Sequence, residues 1–263
     1  MQPKMLDKCP PAIYSDFSLR HLTVFAEADS VRVKVIIPVS TDKWDDSVKA
    51  DYERVKQPET VIDIMHLDHG PEAIQSEYDE ANAASHVLKE VAKTRSEDWD
   101  AIIIYCFSDP ALLGSREITA IPVLGIGESS QLFAMGLADR CGIITPLEQS
   151  VARIRRKLYA RRIAGRFPSI RPLNIPVLEY DQRDKVTARA LEVARIMVEQ
   201  DGAEALILGC GSLFGIQDQI QANLSIPVVE PGIVALKHAE ILGGLALTHS
   251  KRSYMFPLPV KEN

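Results

Sequence analysis

DAIIIYC at residues 100–106 returns as EALILGC at residues 204–210. Each stretch is an acid, an alanine, three aliphatics, one variable residue and a cysteine. The two cysteines are 104 positions apart (210 less 106), and Ile121-Pro122-Val123 returns as Ile226-Pro227-Val228 at an offset of 105. The helical stretches ahead of them, 82–96 and 186–200, fall into line at the same offset. Three matches in one register predict two similar halves. Both cysteine strands are too apolar for a sheet with one wet face, so each is expected to be covered on both sides.

The flanking sequence has the same texture. Strands are predicted over 31–39, 60–67, 100–106, 121–126, 140–145, 175–180, 204–210 and 226–230. Helices are predicted over 45–56, 76–96, 128–138, 146–163, 184–200 and 233–242, with Pro146 in the first turn of its helix. Ala84, Val87, Leu88 and Val91 mark the buried face of the second helix. Strand and helix alternate, which is the pattern of an α/β fold with largely parallel sheets. Residues 1–30 are Pro-rich at the start and weakly periodic, and read as an N-terminal extension.

The bulk properties exclude several classes. The chain has 263 residues, 46% hydrophobic and 25% charged, with a formal net charge of -6. An acidic chain does not suit a nucleic-acid partner. The longest apolar runs fall far short of the roughly 20 residues that span a bilayer, and the N-terminus lacks the apolar core of a secretory signal. Four cysteines make no disulfide framework. A cytoplasmic protein with reduced thiols is expected.

The placement of Cys106 and Cys210 carries the chemistry. Ligands of open α/β sheets bind outside the carboxyl ends of the strands, and each of these cysteines ends a buried strand. Two facing halves would set the thiols on opposite walls of one cleft. Helices starting soon after them would aim N–H groups into it, at an anion or oxyanion. A thiol on each face of a carbon is what a cofactor-free racemase or epimerase requires: one sulfur removes a proton and the other returns one. The backbone at Phe107–Ser108 and Gly211–Ser212 is the expected donor set for the enolate. A single cysteine at a strand end reads as readily as inert core; the repetition points to a paired role. Cys141 begins a strand and is expected to be structural, and Cys9 lies in the extension with no implied role.

Other residues carry weaker expectations. Ser40 and Thr41 either cap the next helix, the preferred reading, or bind substrate. Thr145 ends the first strand of the second half, where its hydroxyl can face the cleft. Asp109 caps the following helix or holds its loop, and Glu128 suits a helix start. Lys251 either attracts an anion or is solvated. The basic run Arg153, Arg155, Arg156, Lys157, Arg161, Arg162 and Arg166 reads as a solvated helix face. The six histidines make no ligand array, and Gly125-Ile126-Gly127 lacks the third glycine of a dinucleotide fingerprint. No metal and no cofactor are expected.

The segments IIPVST (36–41), GPEAIQSEYDEA (70–81), AIIIYCFSDPAL (101–112), IPVLGIGES (121–129), LILGCGS (206–212), IPVVEPGIVALKHAE (226–240) and LTHSKRSY (247–254) resemble the aspartate/glutamate/hydantoin racemase superfamily, and most its hydantoin and allantoin branch. The resemblance runs from about Val31 to Tyr254. It implies two flavodoxin-like halves, 31–126 with 229–263 and 127–228, with the active site in the cleft between them. It carries the branch's two catalytic cysteines onto Cys106 and Cys210. It puts Pro38 and Val39 on the substrate wall, and with the placements above the expected substrate-binding residues are Pro38, Val39, Ser40, Phe107, Ser108, Thr145, Gly211 and Ser212.

Aspartate and glutamate racemases usually have Asn-Thr after the first cysteine; Phe107–Ser108 favours the hydantoin-like branch. That branch typically reads Asn-Pro-Asn where Ile37-Pro38-Val39 stands, and glycine at Ser108 and Ala111. An apolar Val39 removes hydrogen bonds that a cyclic ureide would use, so these departures bear on the substrate. The implied activity is racemisation of a small carbonyl or carboxylate compound by a homo-oligomer. A cis-trans isomerase, a decarboxylase and a non-catalytic small-molecule binding protein are the alternatives.

Overall fold

The computed structural model describes residues 30–94 and 99–258, so the expected extension, apart from Ser30, and Cys9 within it lie outside the described residues. The chain alternates strand and helix. β1 (Arg32–Ile37), α1 (Asp45–Val55), β2 (Val61–His66), α2 (Glu77–Thr94), β3 (Ala101–Ile104), α3 (Leu112–Ile118), β4 (Val123–Gly125) and α4 (Ile126–Ala134) come first. β5 (Cys141–Thr145), α5 (Glu148–Ala160), β6 (Ser169–Pro172), α6 (Arg183–Glu199), β7 (Ala205–Leu208), α7 (Gln217–Leu224), β8 (Val228–Val229) and α8 (Pro231–Gly244) follow.

The strands form two four-stranded sheets of one topology, ordered β2-β1-β3-β4 and β6-β5-β7-β8. Every pairing is parallel. This is the flavodoxin-like order, with its reversal of direction between the first and third strands. The repeat read in the sequence is β3 and β7, an inner strand of each sheet, with β4 and β8 at the neighbouring edge. Val35 is in register with Ile103, and Ile143 with Ile207. β3 and β7 are buried at all four positions, because helices cover both faces. The edge strand β2 is partly exposed throughout and pairs its Asp63 with Lys34 of β1.

Packing follows from these strands. Val33, Val35, Ala101 and Ile103 share a buried cluster with Ala235, Leu236 and Ala239 of α8, so the last helix closes the first sheet. Gly243 lies against Val31, where a β-carbon would come within 2.7 Å of the valine side chain. Full burial of one such aliphatic side chain is worth about 1.5–3 kcal/mol. α8 opens on Glu230, whose carboxylate accepts from the amides of Gly232 and Ile233. Beyond α8 the chain returns along β4. Thr248 bonds the Ala120 carbonyl, His249 the Val123 amide, and Lys251 the carbonyls of Arg116 and Thr119. Lys251 therefore caps the end of α3, neither attracting an anion to a site nor standing solvated.

One expected element is displaced. Residues 175–180 form no strand; Val177–Glu179 is a single 3₁₀ turn, and the strand beside β5 is Ser169–Pro172. Pro176 cannot donate to a ladder, and Ile175, Val177 and Tyr180 are buried by packing as irregular chain instead. Among the described residues no helix is long and apolar enough to cross a membrane.

Candidate active site

A cavity of about 60 Å³ lies where the carboxyl ends of β1, β3, β5 and β7 converge. The chain just past β1 supplies Pro38 and Val39, and that past β3 supplies Tyr105, Cys106, Phe107 and Ser108. β5 supplies Thr145, and the chain past β7 supplies Gly209, Cys210, Gly211 and Ser212. Each sheet thus contributes the two strands that flank its reversal of order, the position where open α/β sheets bind ligands. The two cysteines come from the two sheets and line the same cavity.

The thiols sit in matched settings. Cys106 Sγ lies 3.3 Å from Ser108 Oγ, and the backbone N–H of Ser108 also points at the sulfur. Ser212 does the same for Cys210 through its amide and its hydroxyl. Burial pushes both thiols up, Cys210 to about 12, while these serine donors and the Arg153 charge pull back. A negative charge on Cys106 raises Cys210 further. The pair is therefore neutral at rest and resists losing two protons. The serine groups expected to hold an enolate are turned to the sulfurs instead. The helices after the cysteines also start late: α3 begins at Leu112, and a 3₁₀ turn precedes α7.

Tyr105 ties the two loops together. Its hydroxyl donates to the Gly211 carbonyl at 3.2 Å, and a β-carbon on Gly211 would come within 2.8 Å of its ring. Only a glycine lets the Cys210 loop approach this closely. The Gly125-Ile126-Gly127 motif has a similar reason. The Asp109 carboxylate lies over both glycines and accepts from the amides of Gly127 and Glu128 at 2.8 Å. Asp109 thereby caps α4, one helix later than the one that follows it in sequence, and pairs with Arg161.

Of the expected wall residues, Pro38, Val39, Phe107, Ser108, Thr145, Gly211 and Ser212 line the cavity. Ser40 does not: its hydroxyl donates to the Gly70 carbonyl at 2.9 Å. Neither Ser40 nor Thr41 caps α1, whose N-cap position is Trp44. Thr41 instead accepts from the Lys43 amide. Cys141 is buried in the core at the head of β5, with its thiol directed at the Ala134 carbonyl.

The basic run is the larger correction. Arg153, Lys157 and Arg161 recur every fourth residue, so they share one face of α5, and that face points inward. Arg153 and Lys157 line the cavity. Arg153 donates to the Ser76 carbonyl, Lys157 to Glu80 and the Ser108 carbonyl, and Arg161 to Asp109 and Gln131. A four-residue spacing within the run was the available signal. A solvated face needs no such period, whereas three cations in one stripe require partners. Trp44 and Val177 are further wall residues that no motif marked, and Ile74 lies in the 70–81 segment without being singled out there.

Residues 33–239 match the family model for Asp/Glu/hydantoin racemase. A hydantoin racemase of Paenarthrobacter aurescens is 30% identical over 230 residues, 86% of this chain and 98% of that protein. An allantoin racemase from Klebsiella pneumoniae superposes with a TM-score of 0.81 at 30% identity, covering 89% of this chain and 96% of that one. The allantoin racemase of Pseudomonas fluorescens gives 0.84 at 27% identity, covering 89% and 100%. The paired sheets, the shared cavity and a match over most of its length agree: this chain belongs to the Asp/Glu/hydantoin racemase family.

Proposed function

We propose that this protein is a cofactor-independent racemase or epimerase of the hydantoin-racemase type, with Cys106 and Cys210 as its two proton-transfer groups. The observation that carries this reading is the origin of the thiols: one comes from each sheet, and both line one small cavity. A substrate carbon between them presents its C–H to one sulfur and its opposite face to the other. One thiolate takes the proton, forming an S–H bond as the C–H bond breaks. The electron pair moves onto the neighbouring carbonyl oxygen. The second thiol then gives its proton to the far face, and the roles of the two sulfurs are exchanged.

The reaction needs one thiolate beside one thiol. Charge on Cys106 raises Cys210, which favours that singly ionised pair over the doubly ionised one. Serine donors at each sulfur support whichever carries the charge. The oxygen of the enolate needs a donor other than those serines. Thr145 Oγ1 lines the cavity, is fully buried, and has no hydrogen-bond partner among the described residues. We assign it that role.

The test is exchange in D₂O followed with optical rotation on single-enantiomer cyclic ureides. Cys106→Ser and Cys210→Ser should each lower racemisation by about a hundredfold to ten-thousandfold, the range for loss of an acid–base group. Each variant should still exchange the α-proton of one enantiomer, and the two should exchange opposite ones. Racemisation by both variants at the wild-type rate would overturn the mechanism.

A further inference from the structure

We infer that the substrate of this site carries a negative charge and that Arg153, with Lys157 beside it, is its counter-ion. This deepens the racemase reading and rests on it. The charged side chains in the cavity wall are Arg153 and Lys157, and no carboxylate lines it among the described residues. Glu80 is the acid both cations share: Lys157 Nζ bonds Oε1, and Arg153 Nε lies 3.7 Å from Oε2. Two cations against one carboxylate leave one positive charge at the cavity, which serves the thiolate and an anionic substrate group in common.

Arg153 is also incompletely used. It is 6% exposed, and its Nη1 donates to the Ser76 carbonyl at 2.8 Å. Its Nε makes no hydrogen bond among the described residues and faces Glu80 Oε2, equally unpartnered, at 3.7 Å. Thr145 Oγ1 in the same wall is a buried polar atom with no partner among the described residues, which is costly unless a ligand engages it. Much of the remaining wall is apolar: Ile37, Val39, Trp44, Ile74 and Val177. Such a wall strips water from an anion and would reject it without a paired cation. The same wall leaves a neutral ureide few side-chain partners. A small carbonyl compound bearing a carboxylate fits both facts.

The probes are two compounds of one shape: hydantoin-5-acetate, which is anionic, and hydantoin-5-acetamide, which is neutral. Racemisation is followed by optical rotation, and binding to the wild-type protein by calorimetry. The acetate should show a kcat/KM and an affinity at least about tenfold better than the acetamide, as a charge-assisted pair implies. Arg153→Gln should erase that preference while changing the acetamide far less, and Arg153→Lys should restore part of it. Glu80→Gln removes the shared carboxylate and should enlarge the preference, a gain that a merely weakened fold would not produce. Equal affinity of the wild type for both compounds, or an equal loss on both in Arg153→Gln, would overturn the inference. If neither compound is racemised but the acetate still binds tenfold better, the anion site stands and the proton-transfer reading falls.

Discussion

Ser108 and Ser212 stand two residues after the two cysteines, and each gives its sulfur an amide and a hydroxyl. The amide belongs to the backbone, so the hydroxyl is the part that a substitution can remove. A hydrogen bond to a thiolate favours the charged form, so its loss raises the thiol pKa. Ser108→Ala should therefore move the ascending, acid-side limb of the pH–rate profile to higher pH. The sign is fixed: burial already holds Cys106 above its ordinary value, and the variant loses one of the groups opposing that rise. A shift of one unit would cut the thiolate fraction, and with it the rate near neutrality, about tenfold. The two enantiomers of a substrate with one stereocentre have equal energy, so kcat/KM must fall equally in both directions. A profile that drops in height without moving would show that Ser108 only shapes the wall. The cysteines themselves were legible in the sequence because a repeated strand fixes where its last residue lies. The serine donors were visible too, but whether a loop amide faces a sulfur or an enolate oxygen depends on φ and ψ, which one sequence does not display.

Between β3 and α3 the backbone makes two left-handed residues, Asp109 at φ 49° and Ala111 at φ 58°. Ala111 is the N-cap of α3. An L-residue with a β-carbon is strained there and glycine is not. Ala111→Gly should consequently stabilise the protein by up to about 1 kcal/mol, the opposite of the usual effect of glycine on a chain. Urea unfolding with an unchanged m-value would measure it; a loss of stability would mean that the alanine methyl packs for more than the strain costs. Asp109 tolerates its own conformation because its carboxylate is fixed on α4 and on Arg161. At this scale the sequence was informative wherever burial is uniform, as in β3 and β7, and misleading where it is not. Residues 175–180 carry an apolar strand pattern around Pro176, and that pattern records burial without recording pairing. The inward face of α5 was hidden for a related reason: a run of cations has one composition whether it meets water or the carboxylates of another helix.

Besides the Tyr105–Gly211 contact, the two halves meet through a group of contacts on the loop at Gln75 and on α5. Gln75 receives Gln149 on its carbonyl, and its side-chain oxygen accepts from the Val177 amide at 3.0 Å. Arg156 and Lys157 pair with Glu77 and Glu80 of α2. The pair Arg156–Glu77 is more than half exposed on both sides and should contribute little; the part-buried bonds of Gln75 to Val177 and of Lys157 to Glu80 lie beside the cavity wall. We expect these contacts, which border the cavity, to gate the entry of a ligand. Gln75→Ala removes the bond to Val177 and should raise the association rate several-fold. It should raise dissociation more, because a bond of about 1 kcal/mol that the closed state alone makes is gone, so affinity falls. Trp44 lines the cavity and should report occupancy. The chain has two tryptophans, so a Trp99→Phe background leaves Trp44 as the sole signal in stopped-flow fluorescence. An association rate unchanged by Gln75→Ala, already near the diffusional range of small ligands, would show that the cavity opens freely and that the Gln75 contact does not gate it.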